Sequence, residues 1–330
     1  MLEIGKVPEN VLKRSILKQI KHRRDEVLIG AGVGEDCAGI ELKEGEIFVI
    51  STDPITGTTH DIGALSIYIT ANDIASAGAQ VVGVMLSILL PEGSTEAELK
   101  EIMRQAGEVC EELNIEVLGG HTEITDAVNK IIINVTGIGK VRKDRLITTS
   151  GAKPGDDVVI TKAIALEGTS IIAKEKEEVL RERFSSEFVE RAKGFSKYLS
   201  VVKDAYVATK LPVTSMHDIT EGGVFGALWE VAQCSGVGLE INLRDIPIKQ
   251  ETVEICEVFG INPYELISSG SMLITTPKGA QVAAELEKAG IGAKVVGKVT
   301  KGRDRLILNG DERRFLEPPK SDELYKIYRM

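Results

Sequence analysis

Apolar residues in this chain alternate between short strand-like runs and stripes at helical spacing. Val11, Leu12, Ile16, Leu17 and Ile20 recur on one helical face. Lys18, Lys21, Arg23 and Arg24 follow at its end, where cations suit the helix dipole, and read as a solvated helix terminus. Ile40 to Leu42, a Glu44-Gly45 turn and Ile47 to Ile50 predict a hairpin. Asp53 then ends the second strand, and Pro54 stops further pairing. A helix is expected from about Ile62 to Ala77, with Leu65, Ile69, Asn72 and Ser76 on one stripe and Asp73 beside it. Its small residues Ala71, Ala75, Ala77 and Gly78 allow another backbone to come close.

Val81 to Leu90 is too apolar to face water and predicts a central strand, broken by Pro91-Glu92-Gly93. Thr95 and Glu98 form a capping-box signature. Behind it Leu99, Ile102, Met103, Ala106, Val109, Cys110 and Leu113 trace an amphipathic helix. Ile115 to Leu118 predicts a short strand running into Gly119-Gly120-His121, and Ile131 to Thr136 another ending at Gly137-Ile138-Gly139.

Turn residues cluster from Thr149 to Asp156 and mark a boundary between domains at 1–150 and 151–330. Beyond it come a strand from Val158 to Thr161, charged helices from about Ser170 to Ser200, and a helix containing Val224, Leu228 and Val231. Strands at Leu239–Ile241, Met272–Thr275 and Ala293–Val299 follow, with a helix at Ala280–Ala289 and a short terminal one from Asp322. The alternation predicts two α+β domains rather than one doubly wound sheet.

Composition narrows the function. The chain has 330 residues, 43% of them apolar, and a formal charge of −10, which argues against a broad basic face for nucleic acid. No apolar run is long enough to span a membrane. The first residues lack a signal peptide's apolar core. Four scattered cysteines show neither zinc nor redox spacing and suit a cytoplasmic protein with reduced thiols. Gly30 to Asp36 misses the dinucleotide fingerprint, because its third glycine would fall on Glu35, and no Walker A sequence is present.

The candidate chemistry is a polyphosphate–metal site. Asp36, Asp53, Asp73 and Asp218 each follow or abut an apolar segment among small residues. Carboxylates of this kind can hold Mg²⁺, which takes one or two of them together with phosphate oxygens. His121 is a candidate ligand, phosphate contact or general base, and Gly222-Gly223 could present backbone N–H groups to phosphate. Each has a structural alternative: Asp218 as a helix cap, Gly222-Gly223 as tight helix packing, His121 as an ordinary loop residue.

Taken in order, Gly34-Glu35-Asp36-Cys37-Ala38, Ser51-Thr52-Asp53, Ala71 to Ala79, Gly119-Gly120-His121-Thr122 and His217 to Gly223 resemble the aminoimidazole ribonucleotide (AIR) synthase superfamily. Its members include AIR synthase, thiamine-monophosphate kinase, selenophosphate synthetase and the hydrogenase maturation protein HypE, and the last is the branch most similar. The resemblance implies two domains, each α/β and the first with a mixed sheet, in a homodimer joined through its N-terminal strands, and ATP bound with Mg²⁺ near that interface. It implies metal contacts from Asp36, Asp53, Asp73 and Asp218. It also implies nucleotide contacts from Gly34, Thr52, Asn72, Gly119, Gly120, Thr122, Gly222 and Gly223, with Asp53, Asp73 and His121 in the chemistry. The implied reaction moves phosphate from ATP to an amide, carbonyl or phosphate oxygen of a small-molecule or protein acceptor. A kinase of the thiamine-monophosphate type and a non-catalytic nucleotide-binding partner are the alternatives. The last cysteine is Cys256, so the terminal-thiol carbamoyl chemistry of HypE is not expected, and His121 stands where aspartate is usual.

Overall fold

The strands of the N-terminal half are β1 (Gly5–Lys6), β2 (Val27–Ile29), β3 (Gly39–Ile40), β4 (Glu46–Ile55), β5 (Gln80–Leu90), β6 (Glu116–Ile124) and β7 (Ile132–Arg142). They belong to a computed structural model that describes residues 5–32, 38–56, 61–318 and 321–328. One unit comprises Met1–Ala75 with Ala79–Leu146, the other Ser76–Gly78 with Ile147–Met330.

In the first unit five strands form a mixed sheet in the order β1-β6-β5-β7-β4, with β5 and β6 parallel and the other pairs antiparallel. The apolar run of β5 takes the middle position, as expected of a strand buried by neighbours on both edges. The helices Ile62–Ser76 and Glu96–Leu113 cover one face. A Cβ at Gly137 would come 2.5 Å from Thr70 Cγ2, and one at Gly139 2.3 Å from Ile74 Cγ2, so both glycines let the first helix lie close on β7. The second helix starts with the Thr95–Glu98 capping box and buries Leu99, Ile102, Met103, Ala106, Val109 and Cys110.

Several sequence expectations change here. The segment before the Glu44-Gly45 turn does not pair with β4: β3 pairs with β2, and β4 pairs along its length with β7, from Glu46 opposite Arg142 to Ile55 opposite Ile133. Asp53 and Pro54 lie within the strand rather than past its end. Pro54 is tolerated because β4 is an edge strand. Strands β6 and β7 likewise run through their glycines instead of stopping at them. The basic cluster is not wholly solvated either. Arg24 is 7% exposed at its side chain and binds Glu26 at 2.6 Å, while Arg23 reaches the buried Glu116 at 2.7 Å. Arg24 Nη1 also donates to the Asn114 carbonyl at 2.7 Å. Arg24 and Lys140 together hold the Glu26 carboxyl down at about 2. Those partners are remote in sequence, which hid the role of the arginines.

The second unit carries β8 (Asp157–Thr161), β9 (Ser215–Ile219), β10 (Gly238–Asn242), β11 (Ser271–Thr276), β12 (Ala293–Thr300), β13 (Arg305–Asn309) and β14 (Glu312–Phe315). They form a seven-stranded sheet ordered β14-β13-β10-β12-β8-β11-β9. Every residue of β11 is buried. The helix Gly223–Ser235 packs Val224, Leu228 and Val231 against Ile160, Leu239 and Leu273. A second core gathers Ile172, Leu180, Val189, Ile255, Leu266 and Leu324. The hairpin β13–β14 has a legible signal, Asn309-Gly310 with Gly310 at φ 65°, that the apolar pattern did not bring out.

Candidate active site

Alternation along β4 sorts the candidate residues. Ile47, Val49, Ser51, Asp53 and Ile55 are half-buried or buried on the helix-covered side, whereas Phe48, Ile50, Thr52 and Pro54 are exposed on the other. The Ser51 hydroxyl donates to the Asp73 carboxylate, so the helix Ile62–Ser76 holds Asp73 over the face from which Asp53 also projects. Asn72, next to it, is fully buried. Asp53 and Asp73 are therefore gathered on one side of the sheet. Two carboxylates on one side, joined by phosphate oxygens, are what Mg²⁺ takes. Among the described residues no group of three His, Cys, Asp or Glu side chains forms a ready metal cluster, so a cation here would depend on its ligand's oxygens. Gly34 and Asp36 lie outside the described residues.

Register places His121 elsewhere. It stands opposite Ser87, Ser87 opposite Asn134, and Asn134 opposite Pro54, so these residues share the open face. Asp53, Val135, Leu86 and Gly120 form the adjacent row, which points to the helices. His121 and Asp53 are thus on opposite faces, with β5 and β7 between their strands. His121 Nε2 lies 3.1 Å from Glu123 Oε2. On the same open face Asn134 Nδ2 donates to Thr52 Oγ1 at 3.1 Å, and Thr136 Oγ1 is 3.1 Å from that oxygen. Thr122 is buried on the helix side. Gly119 is half-buried in β6 beside Met85. Gly120 has φ 149°, and a Cβ there would meet the Leu86 carbonyl at 2.0 Å, so packing alone requires glycine.

In the second unit Asp218 is buried within β9 rather than capping a helix. Ser76 Oγ, which clusters with this unit, donates to its Oδ1 at 3.2 Å. The neighbouring His217 Nε2 is 2.8 Å from Glu230 Oε2. Burial disfavours the His217 cation, but the Glu230 hydrogen bond and the charges of Asp218 and Glu230 leave its pKa raised. Gly222 N–H donates to Asp322 Oδ2 at 2.7 Å, and Gly223 N–H to the Thr220 carbonyl at 3.1 Å. A Cβ at Gly223 would meet the Tyr264 carbonyl at 2.5 Å, so this pair serves close packing in the fold. Sequence reasoning missed Ser51 as the partner of Asp73, although its position two residues before Asp53 puts both on one face. Glu230, Ser76 and Asp322 carried no local signal.

Residues 34–141 match the AIR synthase related protein N-terminal domain, and residues 153–309 the corresponding C-terminal domain. The chain belongs to the AIR synthase-related family. It is 28% identical over 333 residues to a putative hydrogenase expression/formation protein of Methanocaldococcus jannaschii, covering 98% of this chain and 97% of that one. It is 29% identical to the carbamoyl dehydratase HypE of Cupriavidus necator, covering 73% of this chain and 68% of that protein. Its fold matches the crystal structure of the hydrogenase maturation protein HypE in complex with ATP, with a TM-score of 0.81, 19% identity and 97% of each chain covered. The two-domain mixed α/β architecture expected from the sequence is that of this family.

Proposed function

We propose that this protein is an ATP-dependent enzyme of the HypE type, which uses Mg²⁺–ATP to phosphorylate an amide, carbonyl or phosphate oxygen of an acceptor. The convergence of Asp53 and Asp73 on one face, with Asp73 held by Ser51, carries this reading. Bound metal neutralises triphosphate charge and stabilises the transferring group, so few protein cations are required. The carbamoyl dehydratase relative and the HypE–ATP fold match support the assignment. The family resemblance gives metal roles to Asp36 and Asp218 as well.

Burial raises the pKa of Cys110 and of Cys256 to about 12, which makes both poor nucleophiles. A separate acceptor molecule is therefore favoured over either buried thiol. A second copy of the chain would lie on the open sheet face, where Phe48 is 43% and Ile50 64% exposed. Because Thr52 and His121 occupy that face while Asp53 and Asp73 occupy the other, one copy alone does not gather all the implied nucleotide contacts.

The test is thermal unfolding with ATP, with and without Mg²⁺. Ligand at a hundred times its dissociation constant stabilises the native state by about 2.7 kcal/mol. The wild type is expected to show a Mg²⁺-dependent rise in Tm that Asp53→Asn abolishes. A wild type that gains nothing from Mg²⁺–ATP refutes the reading. Stable phosphorylated product with no dehydration would favour the kinase alternative.

A further inference from the structure

A cavity of ≈ 450 Å³ in the C-terminal unit lies against the start of the helix Gly223–Ser235. That volume suits a small-molecule ligand. Gly222 and Gly226, one helical turn apart, leave one wall bare of side chains. Phe225 lines the cavity and stacks on Tyr264, with centroids 5.2 Å apart and planes at 12°. Arg314, exposed on the edge strand β14, sets its guanidinium carbon 5.4 Å from the Phe225 ring centre. Glu265 lines the cavity as well. Among the described residues neither Arg314 nor Glu265 makes an ion pair, with each other or with any other group. One turn along the helix Arg305 lies 3.8 Å over Trp229, and its buried Nε has no hydrogen-bond partner among the described groups.

Each wall specifies part of a ligand. A guanidinium outside an ion pair offers a planar fork to carboxylate or phosphate. The aromatic pair suits a flat, conjugated group. A carboxylate accepts N–H from an amine, amide or amidine. We propose that this cavity binds a flat small molecule carrying one anionic group and an N–H donor such as an amide. This binding event does not depend on the ATP-dependent reading above.

Trp229 is the one tryptophan of the chain and lies a helical turn from Phe225, so its fluorescence reports on the cavity. Nicotinamide mononucleotide serves as probe, because it joins a flat amide ring to a phosphate, and nicotinamide riboside is its phosphate-free control. Saturable quenching by the mononucleotide is expected, weakened about tenfold or more in the riboside and in Arg314→Gln. Glu265→Gln should weaken it by a similar factor. Arg314 is exposed, so its substitution leaves folding intact. Absence of saturable quenching in the wild type, or unchanged affinity in Arg314→Gln, overturns the proposal. The Mg²⁺–ATP shift in Tm is measured on the same samples. Its presence without probe binding defeats the pocket alone, and probe binding without it defeats only the ATP-dependent reading.

Discussion

The two sheets handle their faces differently. In the C-terminal unit β11 is buried at every position, so both of its faces are covered. In the N-terminal unit β7 alternates between buried and half-buried residues from Ile132 to Val141, and β4 exposes Phe48 and Ile50 on the side away from the helices. A sheet covered twice is complete within one chain. A sheet with an open apolar face is complete only when something covers it. The candidate groups divide along the same line, since the carboxylates sit beneath the helices and His121 on the open side.

Crowding the helix-covered face tests that contrast most severely. Gly139→Val would drive side-chain atoms into Ile74 Cγ2, already 2.3 Å from an ideal Cβ, and towards the Gln80 carbonyl at 2.9 Å. A loss of about 3 kcal/mol is expected in urea unfolding of the N-terminal unit. A loss below about 0.5 kcal/mol would mean that the helix does not bear on β7 as described.

The fully covered unit should betray itself through pH. Burial, assisted by the charges of Asp322 and Glu221 and opposed by hydrogen bonding from Ser269, raises Glu167 from an ordinary 4.5 to about 7. Between those values the folded state keeps a proton that the unfolded chain has released. Stability therefore falls as pH rises through that window and is lowest above it. Glu167→Gln should gain about 2 kcal/mol at pH 8 and little at pH 4.5 or below, as urea curves at the two pH values would show. An equal change at both would refute the buried, protonated carboxyl.

The smallest effect on the fold belongs to the open face. Ile50→Glu should change the stability of the single chain by less than about 0.5 kcal/mol. In the dimer proposed above it should nonetheless shift sedimentation to monomer. A wild type that sediments as a monomer at micromolar concentration would remove the second copy from that face.

Much of the fold was legible because its signals are local. The capping box at Thr95 and Glu98, the helical stripe behind it and the apolar run of β5 declare themselves within a few residues. The hairpin assigned to β4 failed because pairing is a choice among distant strands, and β7 offered ten residues in register. Pro54 and the glycines of β6 and β7 looked like terminators because their tolerance depends on edge position and on a helix packed nearby. Of the candidate site, the aspartates were visible as residue types in a family order that implied one site, while the sheet face each occupies was not.

The sequence by itself determined the elements, the family and the residue types that could meet a metal and a triphosphate, since periodicity, caps and motif order are written along the chain. Tertiary structure decided which groups stand together. Strand register put Asp53 and His121 on opposite faces, an edge position admitted Pro54, and a stacked aromatic pair brought Arg314 and Glu265 to one cavity from separate segments. The reason is physical: side-chain direction follows from local backbone geometry, whereas proximity depends on which distant segments the core draws into contact.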